Sequence, residues 1–187
     1  MLPDFRLERY FSRWEFSARY NLAGSDAETL TVAELLALGD ESDRRALLDL
    51  RLGYSETYGS PALRQAIAAT YDRWEPEQVL CFVGAEEGIF CAMHALLQPG
   101  DHAIVAVPNY QSTEEIPLSI CEVTGVPLRE ATQWSMDPDE VKAALRPNTR
   151  LIAINFPNNP TGKVIAPEIL QALVELAAER DLYLLSD

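Results

Sequence analysis

The stretch Asn155-Phe156-Pro157-Asn158-Asn159-Pro160-Thr161-Gly162 decides the fold that this sequence predicts. Residues 151–156, which are apolar apart from Asn155, run into the turn and are typical of a buried strand. Two prolines and a glycine then end that strand and exclude a helix across the turn. Ligands of open α/β sheets bind at the carboxyl ends of the strands. An asparagine there offers a hydrogen-bond donor and acceptor suited to a hydroxyl or phenolate oxygen. A plain strand-to-helix turn is the alternative, because all these residue types are common in turns.

Composition limits the classes of partner and the cellular compartment. The chain has 187 residues with a formal charge of −14, so neither nucleic acid nor an anionic membrane surface is an expected partner. No apolar run approaches the roughly 20 residues of a membrane span, and no secretory signal is visible. Three cysteines without CxxC spacing, together with only two histidines, favour a reducing, cytoplasmic location and no metal site.

Strands and helices alternate from residue 78 onward. Such alternation predicts βαβ units and a mostly parallel sheet covered by helices on both faces, a three-layer α/β/α fold. Pro117 is expected to interrupt or restart the predicted helix at residues 112–121. The predicted strands span residues 78–83, 103–107, 122–127, 151–156 and 182–185, and the predicted helices span residues 85–97, 112–121, 138–145 and 167–180.

The part of the chain before residue 78 predicts an arm and two helices. Residues 1–24 are rich in aromatic side chains, which suits either an arm that packs on another domain or subunit or a local core. Thr31 and Glu34 form a capping-box pattern for a helix, and Ser60 followed by Pro61 predicts a helix to about residue 74. We expect residues 1–45 to form an arm or small-domain segment and residues 46–187 an incomplete large domain.

The last predicted strand reaches Asp187 with no helix after it. A parallel strand normally continues into a crossover helix, so we expect the chain to be a fragment of a longer protein. Completion of the sheet by dimerisation or by a partner chain is the alternative.

Four predicted turns leave the carboxyl ends of strands and meet at one edge of the sheet. Gly84-Ala85-Glu86 opens a helix whose N-terminus suits a phosphate, provided that the carboxylates of Glu86 and Glu87 point away. Tyr110 follows the next strand, where it could lie on an aromatic ligand or simply be a rim aromatic. The third turn carries Asn158 and Asn159.

Asp187 marks the fourth of these strand ends. An acid after four apolar residues is expected to be buried or nearly so, and it then needs a cationic partner or a helix N-terminus. Together the four turns offer a helix N-terminus for a phosphate, an aromatic ring for stacking, an amide and a carboxylate. These groups suit one ligand, a planar phosphorylated heteroaromatic with a protonatable nitrogen and a phenolic oxygen. Pyridoxal 5′-phosphate fits that description.

These residues resemble the class I/II aminotransferases of the fold-type-I PLP superfamily, from about residue 50 to residue 187. The most specific match is Pro157-Asn158-Asn159-Pro160-Thr161-Gly162 followed by Ser186-Asp187. A second pattern is matched by Tyr54, Gly59 and Leu63-Arg64. The resemblance implies a large domain of the PLP-transferase type, a homodimer with shared active sites, and amino acid and 2-oxo acid substrates.

The resemblance also implies a role for each matched residue. After Gly84, the backbone amides of Ala85 and Glu86 would bind the cofactor phosphate, and Tyr110 would stack on the ring. Asn159 would bind the 3-hydroxyl oxygen of the ring, and Asp187 would pair with the pyridinium nitrogen. Tyr54 would reach the phosphate of the other subunit's cofactor.

The family's Schiff-base lysine lies beyond the matched aspartate, as does its substrate-binding arginine. Lys142 sits on a surface helix and Lys163 in the turn, so neither matches the motif lysine, and no catalytic residue is expected in this chain. The prediction is therefore the cofactor-binding N-terminal half of a PLP-dependent aminotransferase, inactive alone. Alternatives are another PLP enzyme (lyase, cyclase or oxidase) or a non-catalytic PLP-fold module. A nucleotide-binding domain would need a GxGxxG or Walker motif, which the sequence lacks.

Overall fold

A computed structural model describes residues 3–24 and 27–187. The helices are α1 (Arg6–Trp14), α2 (Val32–Ala37), α3 (Glu41–Leu48), α4 (Pro61–Ala68), α5 (Ala85–Leu96), α6 (Gln111–Leu118), α7 (Pro138–Ala144) and α8 (Pro167–Arg180). The strands are β1 (His102–Val107), β2 (Glu122–Pro127), β3 (Thr149–Ile154) and β4 (Tyr183–Ser186).

The chain forms two compact units. One is Tyr10–Cys81, and the other combines Phe82–Asp187 with the described residues up to Arg9. The second unit contains the sheet and is called the sheet unit below. The predicted domain limit between residues 45 and 46 stays a prediction.

The sheet unit is built on four parallel strands in the order β2-β1-β3-β4. Ile104 of β1 pairs with Ile152 of β3, and Ile154 at the end of β3 pairs with Ser186 of β4. The predicted parallel sheet is confirmed.

Helices cover both faces of this sheet. Side chains alternate along each strand, so Ile104 and Ile152 lie on one face while Val105 and Leu151 lie on the other. The first face packs against Val141 of α7 and Leu173 of α8, and the second face packs against residues of α5 and α6, which include Ile89, Met93 and Ile116. Each fully buried side chain of this size contributes about 1.5–3 kcal/mol of transfer free energy. The three-layer α/β/α architecture is confirmed.

The winding of the chain reverses between β1 and β3. From β1 the chain crosses through α6 on one face to β2, whereas α7 and α8 lie on the opposite face and lead to β3 and β4. A reversal of this kind leaves a crevice at the carboxyl ends of the two central strands, where open α/β sheets bind ligands. The loops after Val107 and Ile154 therefore flank the expected binding position.

The unit Tyr10–Cys81 contains short helices with well-defined caps. Thr31 and Glu34 form the predicted capping box, and the Ser60 side chain caps α4 with Pro61 in its first turn. Helix α3, which begins after the N-cap Asp40, was not predicted. The prediction that α4 runs to about residue 74 is wrong, since the helix ends at Ala68.

Two further predictions about local structure need correction. Residues 78–83 do not form a strand: Gln78 ends a 3-10 turn, and the backbone N–H of Cys81 bonds to the carbonyl of Tyr58 (3.0 Å) instead of to a sheet. Pro117 does not interrupt α6, because it stands one residue before the helix end.

No helix in the described part of the chain is long and apolar enough to span a membrane.

A buried histidine, His102, lies at the amino end of β1, opposite the carboxyl ends of the strands. Nδ1 of His102 lies 2.8 Å from Thr149 Oγ1, and Nε2 lies 2.8 Å from Thr124 Oγ1. Burial, with a smaller effect of the Arg146 charge, lowers the pKa of His102 from its usual value. The neutral ring is therefore the form that the folded state stabilises.

We expect this histidine to make the fold sensitive to mild acid. As the pH falls below about 6.5, the unfolded chain takes up the proton more readily than the folded chain, so the free energy of unfolding decreases. Urea unfolding between pH 7.5 and 5.5 measures this dependence, which His102→Asn should flatten. His94, which is exposed, gives the matched control His94→Asn. An unchanged pH dependence in His102→Asn would contradict the assignment.

Candidate functional site

Asn158 ties together the two loops that follow β1 and β3. It is 2% exposed, and its Nδ2 donates to the carbonyl of Pro108 (3.2 Å). Its Oδ1 accepts from the backbone N–H and the hydroxyl of Thr161 at 3.3 and 2.7 Å. Because this amide already binds protein at both ends, Asn158 has a structural role.

Asn159, in contrast, is exposed and presents its side chain to solvent. Its backbone N–H donates to Asn155 Oδ1 at 3.2 Å, while its side-chain amide has no hydrogen bond to the described part of the chain. Of the two adjacent asparagines, the structure therefore leaves Asn159 able to bind a ligand. The sequence analysis also chose Asn159 as the ligand-binding asparagine, but only because the resemblance to the family motif implies it.

Asp187 directly follows β4 and lies beside this turn. The prediction that it is buried is wrong, because β4 is the edge strand of the described sheet and leaves the side chain exposed. Its partner is a neutral amide and not a cation: Asn155 Nδ2 donates to Asp187 Oδ2 at 2.8 Å. Asn155 stands in the stretch that opened the sequence analysis, yet the pattern gave no signal that it bonds to Asp187.

Tyr110 lies at the N-cap position of α6, where β1 leads into the helix. Its ring centroid is 5.3 Å from that of Phe5, and its hydroxyl donates to Glu8 Oε1 at 3.1 Å. Burial, followed by the hydrogen bond and charge of Glu8 and by the charges of Glu86 and Asp187, raises the pKa of Tyr110 to about 12. The structure thus brings Tyr110 within electrostatic range of two other predicted site residues.

The side-chain amide of Gln111 bonds to the backbone of Asp4 and Arg6. The Arg6 backbone N–H donates to Gln111 Oε1 at 2.9 Å, and Gln111 Nε2 donates to the Asp4 carbonyl at 3.1 Å. Residues 4–8 of the predicted aromatic arm thus pack within the sheet unit, to which they belong. Composition alone could not identify Gln111 as the anchor.

The first turn of α5 presents backbone N–H groups at the same edge. Gly84 adopts φ of +91°, which favours glycine, and no side chain caps the helix. Glu87 Oε2 accepts from the Val83 N–H at 2.6 Å, so this carboxylate turns back onto the backbone, as a phosphate site requires. Ala85 and Glu86 are exposed, and Glu86 lines a cavity of about 360 Å³ between α5 and α6.

The other predicted residues lie outside this cluster. Tyr54 belongs to the unit Tyr10–Cys81 and is fully exposed. Lys142 is exposed on α7, and Lys163 is half-buried in the turn, where its carbonyl accepts from the Asn158 N–H at 2.8 Å. Among residues 3–24 and 27–187, no group of three or more His, Cys, Asp or Glu side chains could hold a metal ion.

Comparison with known proteins identifies the class to which this fold and site belong. The family described as aminotransferase class I and II matches residues 21–187, and the chain belongs to that family. A probable aspartate/prephenate aminotransferase of Thermus aquaticus is 36% identical over 156 residues, and an aspartate aminotransferase of Pyrococcus horikoshii is 34% identical over 153 residues.

A solved structure agrees with this placement. A PLP-dependent aminotransferase from Streptococcus suis superimposes with a TM-score of 0.92 and 37% identity over 100% of this chain and 51% of its own. The matches to the Thermus aquaticus and Pyrococcus horikoshii proteins each cover 79% of this chain, but only 40% and 39% of the respective relative. The chain thus spans about half or less of the length of these proteins. The predicted family and fold class are confirmed.

The environment of Tyr110 gives a direct spectroscopic prediction. We expect its phenol to titrate at about pH 12, and Glu8→Gln to move that titration toward the ordinary value of about 10, because the carboxylate charge is lost. Absorbance at about 295 nm follows the phenolate, and Tyr110→Phe should remove the same late step.

The raised pKa of Tyr110 also makes the free energy of unfolding depend on pH. The folded chain keeps this proton to a higher pH than the unfolded chain, so the contribution of Tyr110 is complete below about pH 10 and is lost as the pH rises through about 12. A Glu8→Gln protein with an unchanged phenol titration would contradict the contact with Tyr110.

Proposed function

We propose that this chain forms the cofactor-binding part of a PLP-dependent aminotransferase that transfers an amino group between an amino acid and a 2-oxo acid. One observation carries the proposal: the free amide of Asn159 and the carboxylate of Asp187 lie at the ends of neighbouring strands, beside the point where the winding reverses. Membership in the aminotransferase family supports it.

The residues at this edge fit the chemical groups of pyridoxal 5′-phosphate. The uncapped first turn of α5 offers the backbone N–H groups of Ala85 and Glu86 to a phosphate. Asn109 Nδ2 is buried without a hydrogen-bond partner in the described chain, and such an orphaned donor next to Tyr110 is consistent with a ligand at this edge.

Three side chains would hold the ring. Tyr110 would stack on it, the Asn159 amide would bind the 3-hydroxyl oxygen, and the Asp187 carboxylate would hold the proton on the ring nitrogen. When bound, the cofactor supplies an electron sink for the electron pair left at the substrate's α-carbon. An ionised carboxylate accepts hydrogen bonds only, so Asp187 favours the protonated nitrogen.

The remaining parts of the assignment concern the whole protein. We propose a homodimer in amino acid metabolism, with Tyr54 reaching the phosphate site of the partner, in agreement with its full exposure. The free thiols of Cys81, Cys91 and Cys121 support a reducing compartment such as the cytoplasm. The Schiff-base lysine expected beyond Asp187 stays a prediction.

Binding of pyridoxamine 5′-phosphate tests the proposed site. This form of the cofactor carries an amine in place of the aldehyde, so its binding needs no lysine and does not label Lys142 or Lys163. We expect saturable quenching of protein fluorescence, and an affinity about fivefold lower in Asn159→Ala, equivalent to one lost hydrogen bond of about 1 kcal/mol.

The neighbouring asparagine provides the matched control. Asn158→Ala removes a buried amide, so it should lower the free energy of unfolding by about 1–3 kcal/mol while the folded protein keeps its affinity. Asn159→Ala should leave stability nearly unchanged. Absence of saturable binding to the unsubstituted chain, or equal affinities in the Asn159→Ala and unsubstituted proteins, would contradict the proposed site.

A further inference from the structure

Asn155 occupies a position between two groups of the proposed site. It is 7% exposed and directly follows β3, whereas Asp187 directly follows β4. Its side chain contacts the turn on one side and the aspartate on the other: Asn159 N to Asn155 Oδ1 is 3.2 Å, and Asn155 Nδ2 to Asp187 Oδ2 is 2.8 Å.

The orientation of this amide is fixed by its partners. A backbone N–H can only donate, so the oxygen of Asn155 must face Asn159. The NH₂ group must then face Asp187, whose carboxylate can accept it. In the reversed orientation, the NH₂ group would face the Asn159 N–H and the oxygen would face the Asp187 carboxylate. Neither contact could be a hydrogen bond, so only one orientation of the amide is stable.

The register of the sheet brings these groups together. Ile154 pairs with Ser186, and the Asp187 N–H donates to the Ile154 carbonyl at 3.0 Å. The residues after the two paired positions therefore leave the sheet side by side. Asp187 keeps one oxygen, Oδ2, on Asn155, while Oδ1 has no hydrogen bond to the described chain and is available to a ligand.

We infer that Asn155 is a positioning residue that fixes Asp187 relative to Asn159, so that one carboxylate oxygen faces a protonated ring nitrogen while the Asn159 amide faces the ring oxygen. This inference rests on the proposed function. A rigid heteroaromatic ring holds its nitrogen and its phenolic oxygen at a constant separation, so the two protein groups must be held at a matching separation. In the described part of the chain, Asn155 is the side chain that bonds to both residues.

The test uses pyridoxamine 5′-phosphate labelled with ¹⁵N in the ring, because the nitrogen chemical shift reports whether the ring is protonated. Bound to the unsubstituted chain, the ring nitrogen should be protonated at neutral pH. Asn155→Ala should shift the signal toward the neutral pyridine and lower the affinity about tenfold, the effect of one hydrogen bond to a charged group, about 1.4 kcal/mol.

Asn158→Ala separates positioning from a merely structural role. It loosens the same turn without touching Asp187, so it should lower stability while the bound ring nitrogen stays protonated. Equal nitrogen shifts in Asn155→Ala and the unsubstituted chain would overturn the inference. An unsubstituted chain that does not bind the labelled compound would overturn the proposed function, and the inference with it.

A second measurement needs no ligand and no variant of Asn155. Hydrogen exchange of the Asn155 side-chain amide protons, followed by NMR, should be at least tenfold faster in Asp187→Ala than in the unsubstituted chain. Equal exchange rates would show that the bond to Asp187 does not form, and would overturn the inference even if binding is observed.

Discussion

The parallel pairing of β1 with β3 is the constraint on which the site depends. Both strands are buried on both faces, so their register is held by apolar packing against helices on each side. This pairing places the loop after Val107 beside the loop after Ile154, where Asn158 joins them through the Pro108 carbonyl. A change in that register would separate the two loops before it affected any ligand contact.

The polar groups at the carboxyl ends of the strands are of two kinds. Asn158 and Asn155 are buried, and each amide bonds to the protein through both its oxygen and its nitrogen. Asn159 and Asp187 are exposed and keep hydrogen-bonding capacity for a ligand. Buried polar groups that are fully satisfied make a site rigid, whereas the neighbouring free groups supply recognition. This division explains why adjacent asparagines of identical chemistry are expected to respond differently to the same substitution.

Sequence reasoning was most successful where local patterns and burial agree. The alternation of apolar segments predicted the parallel sheet, and the prolines and asparagines after Ile154 predicted the turn that ends β3. It failed at residues 78–83, where an apolar run without a neighbouring strand bonds to a loop carbonyl instead. It also failed for Asp187, because burial was inferred from apolar neighbours without knowing that β4 is the edge strand of the described sheet. Contacts between distant residues, such as Glu8 with Tyr110, leave no local pattern to detect.

The central claim is that the edge carrying Tyr110, Asn159 and Asp187 binds the pyridoxal cofactor. The most direct measurement is NMR mapping of pyridoxamine 5′-phosphate on the isotopically labelled chain. The account predicts that the largest shifts fall on the backbone amides of Ala85 and Glu86, the Asn159 side-chain amide and the Asp187 carboxyl carbon. Shifts confined to the cavity lined by Phe90 and Glu115, or to surface lysines, would contradict it.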